Sequence, residues 1–194
     1  MLGGRWQAAP DFGWAFGGRL LVSLGNAFGT SYLLFFLRDY LKVADPDASL
    51  IVLTVIYLVF TLVATYGCGI LSDRSARRRI FVAGAATAQA AAALLLTAVP
   101  TYHTAMLGAA LLGAGYGAYM SVDQALITEV LPDARDRAKD LSIMTVGSVG
   151  PQAFGPLAAS LVISVLGGYR VLFAVAGLSS VAGAVMAYRI RSVR

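Results

Sequence analysis

The stretch Gly69-Ile-Leu-Ser-Asp-Arg-Ser-Ala-Arg-Arg-Arg79 separates two apolar segments that are each long enough to cross a bilayer. It holds four arginines and one aspartate within eleven residues. Charged side chains are costly in the hydrocarbon core of a membrane, so this stretch is predicted to form a short, tight loop at one membrane surface. The rest of the chain is then predicted to consist of membrane-spanning helices joined by similarly short loops.

The composition of the whole chain supports this class of protein. Hydrophobic residues make up 58% of the 194 residues and charged residues 13%, whereas about 25% is typical of soluble domains. The net charge of +5 comes from basic residues that fall between the apolar segments. Membrane orientation accounts for that distribution, so nucleic-acid binding is not expected. The single cysteine, Cys68, excludes an internal disulfide.

Six apolar segments have about the 20 residues that a membrane-spanning helix needs. None of them alternates with a period of two, as the strands of a membrane barrel do. The prediction is therefore an all-α integral membrane protein with one six-helix domain over residues 1–194. The predicted spans cover about residues 13–37, 50–71, 80–99, 104–128, 141–166 and 169–188.

The lysines and arginines predict the orientation of the helices. Three of them, Arg38, Lys42 and Arg170, fall on one predicted face of the membrane. Cytoplasmic loops carry the excess of basic residues, so the other face, with both termini and the arginine-rich loop, is predicted to be cytoplasmic. Arginine outnumbers lysine by 13 to 2, which indicates a GC-rich bacterial genome. The membrane is therefore predicted to be the bacterial cytoplasmic membrane. The basic residues on the predicted cytoplasmic face are Arg5, Arg74, Arg77, Arg78, Arg79, Arg135, Arg137, Lys139, Arg189, Arg191 and Arg194.

Polar side chains are distributed unevenly among the spans. In the first, second, fourth and fifth spans they recur every three or four residues, which places them on one face of a helix. We therefore expect these spans to line the interior and the third and sixth to be peripheral, in a 3+3 inverted-repeat pattern. The stripes are Arg19, Ser23, Asn26 and Thr30; Thr54, Tyr57, Thr61 and Thr65; Tyr116, Tyr119 and Asp123; Thr145, Ser148 and Gln152.

Asp123 is the acidic residue that lies well inside a predicted span. A carboxylate at that depth is costly and marks a candidate functional site. It is interpreted either as a proton or cation coupling site or as a structural or gating ion pair with Arg19, which lies at a similar depth. The ion pair is favoured, because burying one charge without the other is expensive.

Six neutral polar side chains near the centres of the spans are predicted to line a solute site. Such groups donate and accept hydrogen bonds without adding charge, which suits hydroxyl-rich or other neutral polar solutes. Hydrogen bonding between helices is the alternative for each of them. The six residues are Asn26, Tyr57, Thr61, Tyr116, Tyr119 and Gln152.

The sequence does not predict an enzyme. It contains no cluster of histidines, cysteines or carboxylates with metal-ligand spacing, no nucleophile with a base, and no phosphate-binding glycine loop. We therefore expect no cofactor, no metal and no ATP-driven transport by this chain alone.

The arginine-rich loop resembles the signature loop of major facilitator superfamily transporters, found between their second and third and their eighth and ninth helices. In that family the loop aspartate lies near the positive N-terminal end of a helix from the opposite half and holds the cytoplasmic side closed. Such a charge–dipole contact contributes about 1–2 kcal/mol. Ala76 stands where the family usually has glycine. The residues that carry the resemblance are Gly69, Leu71, Asp73, Arg74, Arg77, Arg78 and Arg79.

The likeness extends along the chain, which is similar to helices seven to twelve of bacterial members. Residues 12–41 resemble the seventh helix, 115–133 the tenth and 139–156 the eleventh. The resemblance implies alternating-access transport of a small polar solute, such as symport with a proton or cation. It also implies a second six-helix half, either the N-terminal half of a longer protein or a second copy in a homodimer. The alternative is a non-transporting subunit or binding module, that is, a degenerate or structural half.

Overall fold

The computed structural model describes residues 10–75, 78–130 and 137–189. Every regular element within these ranges is helical, and six helices are long and apolar enough to cross a membrane. The prediction of an all-α, six-span membrane protein is therefore confirmed. The helices are α1 (Pro10–Ser31), α2 (Pro46–Ser75), α3 (Arg78–Ala98), α4 (Tyr102–Val130), α5 (Arg137–Leu166) and α6 (Tyr169–Tyr188).

Local signals in the sequence account for where the helices begin. α2 begins at Pro46, a residue that suits the first helical turn because its missing N–H would have no partner there. Asp45 caps this end, since its Oδ1 accepts a hydrogen bond from the Ala48 N–H at 3.0 Å. Between α5 and α6, Gly167 and Gly168 have φ angles of 112° and 96°. Only glycine adopts such angles without strain, so these two residues allow the sharp reversal.

The predicted loop at residues 69–79 is shorter in the structure than in the prediction. α2 continues to Ser75 and α3 begins at Arg78, so most of the stretch is helical. At 1.5 Å per residue, the 30 residues of α2 are about 45 Å long, whereas the hydrocarbon core is about 30 Å thick. The prediction of a loop from Gly69 was therefore wrong, because a helix can continue into the aqueous layer and arginine is a good helix former.

The packing of the helices has a two-fold pattern. α2 packs on α4, α4 on α3, α3 on α6, α6 on α1, and α1 on α5, while α1 and α4 approach each other across the middle. Exchanging α1 with α4, α2 with α5 and α3 with α6 leaves this set of neighbours unchanged. The six helices therefore form two equivalent groups of three, which is the 3+3 arrangement that the polar stripes predicted.

The expected peripheral role of α3 and α6 within this pattern requires correction. The buried share of the most apolar stretch is 11% in α2 and 17% in α5, against 44% in α3 and 39% in α6. α3 and α6 are thus more enclosed within this unit than expected, and they line the cavity as well. α2 and α5 also reach the cavity, as predicted, but their other sides have few neighbours in this unit. A polar stripe shows which face of a helix differs from the rest, but it does not show how many neighbours that helix has.

Small residues bring the backbones of α2 and α4 close together. A Cβ atom at Gly113 would overlap the Tyr57 carbonyl, and one at Gly117 would overlap the Thr61 carbonyl. Thr65 adds a hydrogen bond from its hydroxyl to the Gly117 carbonyl oxygen at 3.1 Å. Close backbone approach over small residues is a main source of helix association in membranes. The glycine ridge of α4 therefore serves helix packing.

An aromatic cluster connects α1 to α6 at the end of the bundle opposite the 69–79 stretch. α1 is extended there by a π-helical turn, Phe36–Tyr40, which brings Phe36 against α6. The rings of Phe36 and Phe173 meet edge to face with centroids 5.0 Å apart. Arg170 donates a hydrogen bond from Nε to the Tyr40 hydroxyl at 2.9 Å. These contacts hold α1 against α6 at this end.

Candidate solute cavity

A cavity of about 350 Å³ lies between α1 and α4. α2 forms one side of it, α3 and α6 form the back wall, and Gln152 reaches it from α5. Its volume is within the range of small-molecule sites, about 300–1,000 Å³. Most lining residues are leucine, alanine or glycine, and none of those that the structure describes is charged. Such a cavity suits a neutral solute with an apolar body and a few polar groups.

The structure brings four of the six predicted lining residues to this cavity. Asn26, Tyr57, Tyr116 and Gln152 border it. Tyr57 donates a hydrogen bond to Asn26 Oδ1 at 3.3 Å, and its ring stacks on that of Tyr116 with centroids 6.5 Å apart. A polar group contributed by α1, α2 and α4 therefore forms one side of the cavity.

The other two predicted lining residues lie outside this lining. Thr61 donates a hydrogen bond to the Tyr57 carbonyl in its own helix at 2.7 Å, where it faces Gly113. Tyr119 is buried deeper in the bundle and donates a hydrogen bond to Asp123 Oδ1 at 2.8 Å. Thr61 thus occupies the α2–α4 contact, and Tyr119 belongs to a separate group around Asp123.

Arg19 and Asp123 lie close together at the end of the cavity nearer the 69–79 stretch. Arg19 Nη1 is 2.9 Å from Asp123 Oδ2, and the two side chains are 6% and 5% exposed. Arg19 also donates a hydrogen bond from Nη2 to the Ser148 hydroxyl at 3.2 Å. The group of Arg19, Tyr119, Asp123 and Ser148 therefore connects α1, α4 and α5. The two buried charged groups, Arg19 and Asp123, therefore neutralise each other, as burial in a membrane span requires.

Two polar residues of the cavity wall were missed by the sequence analysis. Gln89 in α3 and Ser180 in α6 are each 1% exposed, and the Ser180 hydroxyl is 3.2 Å from Gln89 Oε1. Both residues border the cavity. One signal could have indicated Gln89, because it is an amide within an alanine-rich span, and polar residues inside membrane helices face the bundle interior. The polar residues of α3 do not form a stripe along one face, so the sequence pattern did not single out Gln89.

The structure describes only part of the arginine-rich motif. Gly69 lies near Ser121 of α4, since a Cβ atom there would be 3.9 Å from that side chain. Leu71 and Arg74 are exposed at the end of α2. Asp73, Arg78 and Arg79 have helical backbones, but their side chains lie outside the description, and Arg77 lies outside the described residues altogether. The contact of Asp73 with a helix end therefore stays a prediction.

No three histidines, cysteines or acidic residues within residues 10–75, 78–130 and 137–189 are arranged so that they could hold a metal ion. The charged groups buried at the centre of the bundle are instead paired with each other.

Six apolar helices, arranged as three plus three around a cavity of small-molecule size, define a multi-pass helical membrane protein. The family model of the Major Facilitator Superfamily matches residues 15–194. The chain therefore belongs to this family of membrane transporters, as the arginine-rich loop predicted. No curated protein matches the chain.

Proposed function

We propose that this chain forms one six-helix half of an alternating-access secondary transporter for a small, neutral polar solute. The observation that carries the proposal is the uncharged cavity between α1 and α4. In transporters of this architecture two halves rock about a central site, so that the site opens alternately to each side of the membrane. The mainly apolar lining narrows the expected solute to one with an apolar body and a few hydroxyl or amide groups.

The proposal assigns a gating role to Arg19 and Asp123. Arg19 precedes Asn26 by seven residues, and Asp123 follows Tyr116 by seven, so the pair is about 10 Å from the polar part of the cavity. It joins the two helices on either side of the cavity at one end. Breaking and re-forming the pair would allow α1 and α4 to separate there. Under the proposed orientation, with both termini in the bacterial cytoplasm, this is the cytoplasmic end.

A second six-helix unit is part of the proposal, either on the same polypeptide or as a second copy of this chain. Its support is the polar side of the cavity that this unit leaves open. Gln152 of α5 is exposed, yet its side chain borders the cavity. An amide facing hydrocarbon costs several kcal/mol. A second unit over α2 and α5 would remove that cost and complete the cavity.

Uptake by reconstituted protein tests the proposal. The chain would be placed in liposomes alone and as a fusion of two copies, and entry of labelled glycerol, xylose and uridine would be measured with and without a pH gradient. We expect saturable uptake of at least one solute when two six-helix units are present. Absence of saturable uptake in both forms would favour the non-transporting subunit.

Filling the cavity provides the matched control for this experiment. Ala109 borders the cavity, whereas Ala182 of α6 is exposed on the outside of the bundle. We expect Ala109→Val and Ala109→Phe to reduce uptake in that order, and Ala182→Phe to leave it unchanged. Monodisperse elution of each variant in gel filtration verifies folding. Equal uptake by all three variants would show that the solute does not use this cavity.

A further inference from the structure

The back wall of the cavity contains a buried polar pair with an unused hydrogen-bonding group. The Ser180 hydroxyl is 3.2 Å from Gln89 Oε1 and 3.1 Å from the Ala176 carbonyl oxygen. The other end of the Gln89 amide, Nε2, is buried and has no hydrogen-bond partner. An amide has two donors and one acceptor, so this side chain uses only part of its capacity.

The helices around the pair are shaped to accommodate it. A Cβ atom at Gly25 of α1 would overlap the Ser180 hydroxyl, and one at Gly115 of α4 would lie 2.9 Å from Gln89 Cγ. Glycine at these two positions therefore makes room for the two polar side chains where α1, α3, α4 and α6 converge. The pair is held in place from both sides, so Gln89 cannot easily turn away from the cavity.

A buried amide without a partner calls for an explanation, because nearly all buried polar groups in proteins are hydrogen-bonded. Hydrocarbon supplies no partner within a membrane span. Gln89 borders the cavity and its Nε2 is buried just behind the wall, so a small shift of the amide toward the cavity would let an occupant supply the missing bond. Leu96 of α3 and Phe173 of α6 also border the cavity. They offer apolar surface beside the Gln89–Ser180 pair.

We propose that Gln89 and Ser180 form a subsite that binds a hydroxyl group of the solute against the α3–α6 wall. A hydroxyl both donates and accepts, so it pairs with either end of the amide. The inference rests on the proposed function and extends it, because it places one polar group of the solute inside this half rather than between two halves. The absence of charge among the described lining residues restricts the solute to a neutral one.

Nuclear magnetic resonance on the full chain in lipid nanodiscs tests the subsite with two probes. Cyclohexanol and methylcyclohexane have similar shapes and differ in a hydroxyl against a methyl group. The chain has four glutamines, Gln7, Gln89, Gln124 and Gln152, so side-chain amide labelling with nitrogen-15 gives few signals. The signal that disappears in Gln89→Met identifies Gln89. We expect cyclohexanol to shift this signal and methylcyclohexane to leave it in place.

Affinity provides the second measurement, with the Gln152 signal as the reporter. Loss of one hydrogen bond is expected to weaken cyclohexanol binding about tenfold in Gln89→Met. Ser180→Ala, which keeps the amide but removes its partner, is expected to weaken binding about threefold. Thr87→Val is the control, because Thr87 lies on the exposed side of α3 and bonds to the Gly84 carbonyl of its own helix. It should leave the dissociation constant unchanged.

An unchanged Gln89 signal at saturating cyclohexanol would overturn the subsite, as would equal affinity in wild type, Gln89→Met and Ser180→Ala. The experiment uses the six-helix chain without a second unit and requires no transport. A shifted Gln89 signal in a protein that shows no uptake would reject the proposed function and retain the subsite. Solute uptake by a protein whose Gln89 signal does not respond to cyclohexanol would support the proposed function and reject the subsite.

Discussion

The guanidinium of Arg19 in α1 and the carboxylate of Asp123 in α4 form a buried ion pair, with Nη1 and Oδ2 2.9 Å apart. The pair spans two helices that pack mainly on other neighbours and approach each other only across the middle of the unit. Tyr119 and Ser148 add hydrogen bonds to its two ends. The pair therefore stabilises the α1–α4 approach at one end of the cavity.

Neutralising one member of this pair should destabilise the protein more than neutralising both. A single change leaves a buried charge without its partner, at a cost of about 3–5 kcal/mol, whereas the double change leaves none. We expect Arg19→Gln and Asp123→Asn each to lower the thermal unfolding midpoint of the purified protein clearly, and the double variant to recover part of the loss.

Ser148→Ala is the control for this cycle, because it removes one hydrogen bond to Arg19 and retains both charges. This variant should lower the free energy of unfolding by about 1 kcal/mol. A double variant whose loss equals the sum of the two single losses would indicate independent roles. If Asp123→Asn alone abolishes proton-coupled uptake while Arg19→Gln transports normally, Asp123 is the coupling site instead.

Glycines at the α2–α4 contact should tolerate substitution poorly. A side chain at Gly117 would overlap the Thr61 carbonyl, whereas nothing lies within 4 Å of the position that a Cβ atom would occupy at Gly67. We expect Gly117→Val to lower the free energy of unfolding by about 1–3 kcal/mol through overpacking. Gly67→Val, in α2 at a position where the added side chain meets no neighbour, should change it by less than about 0.5 kcal/mol. Equal unfolding midpoints for the two variants would contradict the close α2–α4 packing.

The parts of the fold that could be predicted from the sequence are those set by the length and composition of single segments. α6 runs from Tyr169 to Tyr188, as predicted, because Gly167 and Gly168 separate it sharply from α5. The Arg19–Asp123 pair could also be anticipated, because two opposite charges buried at a similar depth in a membrane are less costly when they form an ion pair. Each of these predictions needs only one segment or one pair of residues.

The features that could not be predicted depend on several helices at once. Gln89 is polar in a helix that resembles a lipid-facing one, and its position at the cavity wall follows from the packing of α3 on α6. The extension of α2 to Ser75 was missed because hydrophobicity ends at the membrane surface but the helix does not. Thr61 was expected in the solute site because it belongs to the same polar stripe as Tyr57. In the structure, Gly113 and Gly117 of α4 pack against Thr61 instead.

The orientation of the chain can be determined with single cysteines in a Cys68→Ser background. Arg74 and His103 are both exposed, at opposite ends of the bundle. Because basic residues are concentrated at the Arg74 end, we expect that end to face the cytoplasm. An impermeant thiol reagent added to intact cells should label His103→Cys and should label Arg74→Cys only after the cells are opened. Rapid labelling of Arg74→Cys in intact cells would reverse the proposed orientation.

The aspartate of the arginine-rich motif should affect cycling more than folding. Asp73→Asn removes a negative charge that is expected to contact the positive end of a helix in the second unit. Losing that contact shifts the balance between two conformations by about 1 kcal/mol without creating a cavity. We expect normal expression, a lower uptake rate and altered thiol accessibility at the two membrane faces. Uptake at the wild-type rate with unchanged accessibility would argue against the contact.

One copy of the six-helix chain should not transport by itself. In a single copy, the outer sides of α2 and α5 and the exposed Gln152 amide meet lipid, and one side of the cavity is incomplete. A second six-helix unit packed on α2 and α5 would bury these groups, and a symmetric pair of copies is the simplest arrangement that does so. We therefore expect uptake to disappear when the protein is diluted in lipid until each liposome holds one copy.

Fluorophore bleaching steps give the number of copies in each liposome, so uptake can be sorted by copy number. The fused two-copy protein is the matched control, because dilution cannot separate its units. We expect the fusion to retain activity at dilutions where the single chain has lost it. Replacing Leu58 on α2 and Gln152 on α5, which are exposed and border the cavity, with cysteine should also allow cross-links between copies. Solute uptake by liposomes that contain one unfused copy would disprove the need for a second unit.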